Sequence, residues 1–150
     1  MNKEKPDHHD AELVIKLYDL RRETVMRASR TTMMQFLPRS YEELLAVTQP
    51  THPSNAAWRQ VSSYWEMAWS FARHGVCNPD FLIENTTEGL FLYAKVQPYV
   101  EQYRKDVSPL GFRNVEWVAT QCAPGRALFE VIKARVAKLA EARLAAAKKP

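Results

Sequence analysis

The chain has 150 residues, of which 46% are hydrophobic and 25% are charged, and its formal net charge is +4. These values are ordinary for one globular domain, and they exclude a largely disordered chain. No run approaches the ~18 consecutive apolar residues of a membrane span, and the start, MNKEKPDHHD, lacks the apolar core of a signal peptide. We therefore expect one cytoplasmic domain with no membrane partner.

The first segments are a polar tail and a long helix. Residues 1 to 9 are expected to form a flexible N-terminal tail. Asp10 is the predicted cap of a helix that runs to about Leu37, where Pro38 must stop it. Apolar residues spread around most of this helix, which predicts packing on more than one side.

Two adjacent arginines interrupt the apolar surface of this first helix. On a helical wheel, Arg21 and Arg22 fall among apolar neighbours. Paired with an acid from another helix they would form an internal bridge, whereas unpaired they would need water or a second chain. They are therefore our candidates for a ligand-binding or oligomeric surface.

Capping and turn signals divide the rest of the chain into further helices. These predicted helices cover residues 40–47, 54–74, 80–85, 86–107, 114–123 and 125–140. Pro98 should kink or split the fourth of them. The alanine-rich basic end, residues 141–150, is expected to fray. No run alternates as a strand would, so we predict an all-α fold, a single-domain irregular bundle of five to seven helices over residues 10–140.

The stretch SSYWEMAWSFARHGVCNP, residues 62–79, is unusually rich in aromatic residues. On the predicted helix, Trp58, Trp65 and Trp69 share one narrow sector at the border between the polar and apolar faces. An aromatic stripe at helical spacing is usually core, which is our interpretation here. The alternative is a small-ligand pocket or aromatic platform that these residues form with Tyr103.

Motifs for catalysis, cofactors and metals are absent from the sequence. It has no G-x-S-x-G, and its four glycines are too few for phosphate-binding loops. His74 and Cys77 form an H-x-x-C pair, and Asp80 and Cys122 could complete a zinc site if the fold brought them together, but the sequence holds only one close pair of ligands where a structural site usually has two. The two cysteines are too few for a disulfide scaffold, and we expect reduced thiols, with one bridge as the alternative. We predict no enzyme activity, no cofactor and no metal.

Basic residues concentrate in the last predicted helix. Seven cations there outnumber two glutamates: Arg126, Lys133, Arg135, Lys138, Arg143, Lys148 and Lys149 against Glu130 and Glu141. Such a helix can bind phosphates of nucleic acid without reading sequence. Because the cations lie opposite the apolar stripe and towards a helix C-terminus, a solvated face is the favoured interpretation.

Three segments carry a resemblance to a known family. The runs WEMAWSFARHGVCNPDFL, VQPYVEQYRKD and NVEWVA resemble a family of small bacterial helical proteins known as a domain of unknown function, over about residues 54 to 119. The resemblance implies a connected set of residues and no activity. The set comprises Glu66, Arg73, Gly75, Arg104, Glu116 and Trp117. Its glutamates and arginines are expected to form a structural polar network that fixes helix packing.

These observations favour a non-enzymatic function. We expect a protein-interaction or scaffolding module that binds a protein partner or self-associates through its first helix. The alternatives are a helical protein that binds nucleic acid weakly and a small-ligand binder with an aromatic pocket.

Overall fold

The computed structural model describes residues 3 to 149, which contain nine α-helices and no strand. The helices are α1 His8–Arg22, α2 Thr24–Gln35, α3 Tyr41–Val47, α4 Asn55–Arg73, α5 Pro79–Asn85, α6 Glu88–Val96, α7 Val100–Asp106, α8 Arg113–Gln121 and α9 Ala123–Ala147. A short 3-10 turn, Gln97–Tyr99, joins α6 to α7. The all-α class is confirmed, and the count exceeds the expected five to seven because two predicted helices are each divided in two.

The prediction of one continuous helix from Asp10 to Leu37 is wrong, because the helix is interrupted at Glu23. There the backbone is extended (φ −55°, ψ 139°), and the Glu23 carboxylate accepts hydrogen bonds from the amides of Val25 and Met26 at 3.0 and 2.8 Å. This side chain caps α2 and satisfies amides that a continuous helix would have bonded internally. The second helix already ends at Gln35, before Pro38.

The N-terminal boundary also differs from the prediction. Asp7 is the cap of α1, and Asp10 is the third residue of the helix, the N3 position of a capping box, rather than the cap itself. Asp10 is buried. It accepts a hydrogen bond from the amide of Asn78 at 3.1 Å and forms an ion pair with Lys3 at 3.2 Å. The expected flexible tail of residues 1 to 9 therefore includes the start of α1 and Lys3, which is bound to Asp10. Residues 1 and 2 lie outside the described part.

The other local signals place helix ends close to where they were expected. Ser40 and Asn78 cap α3 and α5 with their side chains, and Gly75 ends α4 with φ 70°, a conformation that favours glycine. Pro98 lies in the 3-10 turn that separates α6 from α7. The C-terminal helix begins at Ala123, two residues early, and the end that was expected to fray is helical as far as Ala147. Residue 150 of that end lies outside the described part.

Helix α4 is the centre of the core and packs against α2, α5, α6 and α8. Its three tryptophans, Trp58, Trp65 and Trp69, are 3%, 3% and 0% exposed, in agreement with their interpretation as core residues. Each removes on the order of 200 Å² from water, which corresponds to about 5 kcal/mol before the entropy of ordering is subtracted. Helix α9 covers the other side through α5, α6 and α8. None of the helices described is both long and apolar enough to span a bilayer.

Candidate ligand-binding cavity

A cavity of about 250 Å³ opens between α2, α4 and α6. Its wall is mainly apolar, with three charged side chains at different depths. The lining residues are Arg30, Met33, Met34, Val61, Trp65, Thr87, Glu88, Phe91, Leu92 and Lys95. A concave apolar wall with a few convergent polar groups is the usual form of a small-molecule site.

Lys95 is the most deeply buried charged residue of this wall and is only 3% exposed. Its Nζ donates hydrogen bonds to the carbonyls of Met33 and Met34, at 3.0 and 2.8 Å, in the last turn of α2. Cations are favoured at the carbonyl end of a helix, so the lysine also stabilises the end of α2. No carboxylate among residues 3 to 149 forms an ion pair with the ammonium.

Burial lowers the pKa of Lys95 from 10.5 to about 8. The positive charge of Arg143 acts in the same direction, and the negative charge of Glu88 opposes it. An ammonium held in apolar surroundings without a contacting anion is electrostatically costly. Such groups are more frequent at functional sites than elsewhere.

An ion pair between α2 and α6 forms the polar side of the cavity. Arg30 Nε donates to both carboxylate oxygens of Glu88 at 2.9 and 3.1 Å, and Arg30 Nη1 donates to the carbonyl of Arg21 at 3.3 Å. The Glu88 carboxylate raises the pKa of Arg30. The side chains of the pair are 21% and 22% exposed, so they lie nearer the solvent than Lys95 does.

Two indole N–H groups in this region have no partner among the described residues. Trp65 and Trp69 stack with ring centroids 6.1 Å apart, and Nε1 of each is buried without a hydrogen bond. Helix α6 comes close enough that a Cβ on Gly89 would lie 2.4 Å from Trp69 Nε1 and 2.9 Å from Trp65 Cδ2. Only glycine fits this approach, and of the two indoles only Trp65 lines the cavity.

The four aromatic residues proposed as one pocket do not line a common space. Trp65 belongs to the cavity described above, and Trp69 is fully buried behind it. Trp58 and Tyr103 meet edge to face, 6.3 Å apart, and line a separate open cleft with polar residues of α4. The aromatic pocket expected from the sequence is thus divided between two surfaces.

The predicted polar network consists of two parts, both of which contact α8 or the loop before it. The Glu66 carboxylate accepts from the amides of Asn114 and Val115 at 3.0 and 2.9 Å, and Arg73 Nη1 donates to Asn114 Oδ1 at 3.1 Å. Glu66 therefore caps α8 from α4, and burial raises the pKa of Glu66.

The second part of the network is an ion pair next to the first. Arg104 Nη2 lies 2.8 Å from Glu116 Oε2, and Arg104 Nε donates to the carbonyl of Gly111 at 2.9 Å. Tyr93 also donates to Glu116 at 3.4 Å. The contacts of Glu66, Arg73, Arg104 and Glu116 thus hold α8 and its preceding loop in place, and none of the four residues lines the cavity.

The adjacent arginines of α1 are in different environments. Arg21 lies over the rings of Tyr18 and Trp65, at 4.3 and 5.5 Å from their centroids, and donates to Thr86 Oγ1 at 3.4 Å. Its Nε is buried without a partner in the described part of the chain. Arg22 is exposed. Neither forms an ion pair with a carboxylate between residues 3 and 149, so the internal bridge considered above is not present there.

Sequence reasoning did not single out Lys95, Arg30 or Glu88. A signal for Lys95 was nevertheless present, because it is the only charged residue in the run GLFLYAKV of α6. Both cysteines are free and buried, and burial raises the pKa of Cys77 to about 12. Residues 3 to 149 contain no group of three or more metal-ligating side chains.

The family model described as DUF4760, a domain of unknown function, matches residues 6 to 122. The match extends beyond the segment from about 54 to 119 that carried the resemblance, and it includes α1 to α3 and every residue of the cavity. It ends where α9 begins. The searches of curated proteins and of solved structures gave no match. The chain belongs to the DUF4760 family.

Proposed function

We propose that this protein is a non-enzymatic binding module that holds a small molecule in the cavity between α2, α4 and α6. One observation carries the proposal: Lys95 is a buried cation in an apolar cavity wall, with no carboxylate of the described chain paired to it. A charge that is expensive to bury and is not neutralised internally is well placed to bind a ligand.

The size and composition of the cavity support the same proposal. Its volume of about 250 Å³ is larger than the ~150 Å³ apolar cavity that binds benzene in another protein. Met33, Met34 and Phe91 provide adaptable and aromatic contacts, while Arg30 and Glu88 give the wall a polar side. The free thiols of Cys77 and Cys122 are compatible with the cytoplasm, where we propose that this binding occurs.

Tryptophan emission tests the proposal because Trp65 lines the cavity. We expect at least one compound from a panel of small acids, amines and neutral metabolites to change the emission of the wild type and to raise its melting temperature. The Trp65→Phe variant should lose the emission change. The matched control, Trp117→Phe, alters a half-buried indole outside the cavity and should keep it. A panel that gives neither effect contradicts the proposal.

A second proposal is self-association through α1, and the exposure of its apolar side chains supports it. Ile15 is 61% and Leu20 is 53% exposed, and the neighbouring Arg21 and Arg22 have no carboxylate partner in residues 3 to 149. Light scattering after size exclusion should give a dimer whose mass falls to that of the monomer in Ile15→Glu. A wild type that is monomeric at high protein concentration rules this proposal out.

A further inference from the structure

We infer that the ligand of this cavity is a small monocarboxylate of about ten non-hydrogen atoms in total, most of them apolar, and that Lys95 Nζ binds its carboxylate. This inference rests on the proposed binding function and names its ligand class.

Lys95 and Trp65, the buried lining residues that carry polar hydrogens, have unused hydrogen-bond donors. An ammonium has three N–H groups, and Lys95 uses two of them for the carbonyls of Met33 and Met34. Trp65 Nε1–H is buried without a partner among the described residues. The carboxylate of Glu88 is already occupied by Arg30. A ligand that pairs with these buried donors must therefore supply acceptors, as a carboxylate does.

The charge of the wall matches a single negative charge on the ligand. Arg30 and Lys95 are cations and Glu88 is an anion, which leaves one excess positive charge. Arg30 is engaged in its pair with Glu88, so Lys95 carries the charge that is free to pair. A phosphate dianion would leave an uncompensated negative charge in an apolar space, whereas a monocarboxylate would not.

The remaining wall fits an apolar body. Val61 and Leu92 are 1% and 6% exposed, and they face the same cavity as Phe91 and Met33. If about 150 Å³ accommodates the six carbons of benzene, then a cavity of about 250 Å³ accommodates about ten non-hydrogen atoms. Met34 is 62% exposed, so it marks the side on which the cavity meets solvent.

The alternative for Lys95 is a purely structural role at the end of α2. In that case its ammonium would contribute nothing to ligand selectivity, and a neutral ligand would bind as well as an acid of the same shape. The two roles are separated by comparing 3-phenylpropionate with 3-phenylpropan-1-ol, which has the same carbon skeleton and no charge.

Titration calorimetry with these two probes tests the inference on the intact chain. We expect the wild type to bind 3-phenylpropionate at least about tenfold more tightly than the alcohol, and Lys95→Met to abolish this preference. The matched control is Lys133→Met on α9. Lys133 Nζ lies 5.3 Å from the Phe129 ring, as Lys95 Nζ lies 5.3 Å from the Phe91 ring, but it is outside the cavity. This control should keep the preference.

A pH series on the wild type keeps the test valid even if Lys95→Met does not fold. The affinity for 3-phenylpropionate should fall by about tenfold per pH unit above the pKa of Lys95, which is about 8 in the free protein, while the affinity for the alcohol stays constant. Arg30, Glu88 and Arg143 are the other charged groups that act on this lysine or share its cavity.

The outcomes distinguish the inference from the proposed function. Equal binding of the two probes, or binding only of non-carboxylates from the metabolite panel, overturns the ligand class and leaves the binding function standing. A preference for the acid that survives Lys95→Met and does not change with pH assigns the carboxylate to another group and also overturns the inference. No binding of any compound overturns both.

Discussion

Replacing Lys95 with methionine tests how strongly the protein desolvates this ammonium. The folded-state pKa of about 8 lies below the value of 10.5 taken for the unfolded chain. Between these pH values the unfolded chain binds more protons than the folded one, so the free energy of unfolding rises with pH. The whole effect is on the order of 3 kcal/mol, and about 2 kcal/mol of it falls between about pH 7 and about pH 9.5.

Urea unfolding followed by circular dichroism at several pH values measures this effect. Methionine keeps a long flexible side chain without the charge, and groups common to both proteins, such as Cys77 and Tyr64, cancel in the difference between them. At a single pH, the difference in unfolding free energy between wild type and variant has two sources: the variant is freed of the cost of desolvating the ammonium, but it loses the hydrogen bonds to the carbonyls of Met33 and Met34. The change of this difference with pH isolates the first source. We expect the wild type to gain about 2 kcal/mol on the variant over this range. A constant difference would refute the reasoning, since it would mean that the ammonium is solvated.

Three further predictions, with five substitutions, test the packing of α6 and the helix caps of the fold. Gly89→Ala should cost about 1–3 kcal/mol in urea unfolding, because the new Cβ would meet Trp69 Nε1 at 2.4 Å; a loss within experimental error would mean that α6 can move away. Glu66→Ala should cost about 2 kcal/mol, because it removes both hydrogen bonds to the amides at the start of α8. Glu66→Gln keeps one acceptor and should cost less. Equal costs for the two variants would argue against the cap. Asp10→Ala should cost about 2 kcal/mol, because the buried amide of Asn78 loses its acceptor, whereas Asp7→Ala at the exposed cap should cost less. The reverse order would contradict this assignment.

Helix ends that depend on neighbouring residues were readable from the sequence. Ser40 and Asn78 cap helices through amides three residues away, and Gly75 ends α4 through its own backbone conformation. These interactions are local, so residue type and spacing are enough to predict them. The break at Glu23 was missed because glutamate is not a common cap and no glycine or proline marks the position.

The buried face of α4 could be predicted from the periodicity of its sequence, since apolar residues at helical spacing are buried whichever elements they pack against. The cavity could not be predicted in this way, because α2, α4 and α6 form its wall together, and the spacing of residues along one helix does not indicate which helices pack against it. The same limit applies to Lys95, whose carbonyl partners at Met33 and Met34 are more than 60 residues away in the chain. Local chemistry and periodicity thus specify the helices and their buried faces, whereas the site exists only where the packing of three helices buries a charge and leaves space beside it.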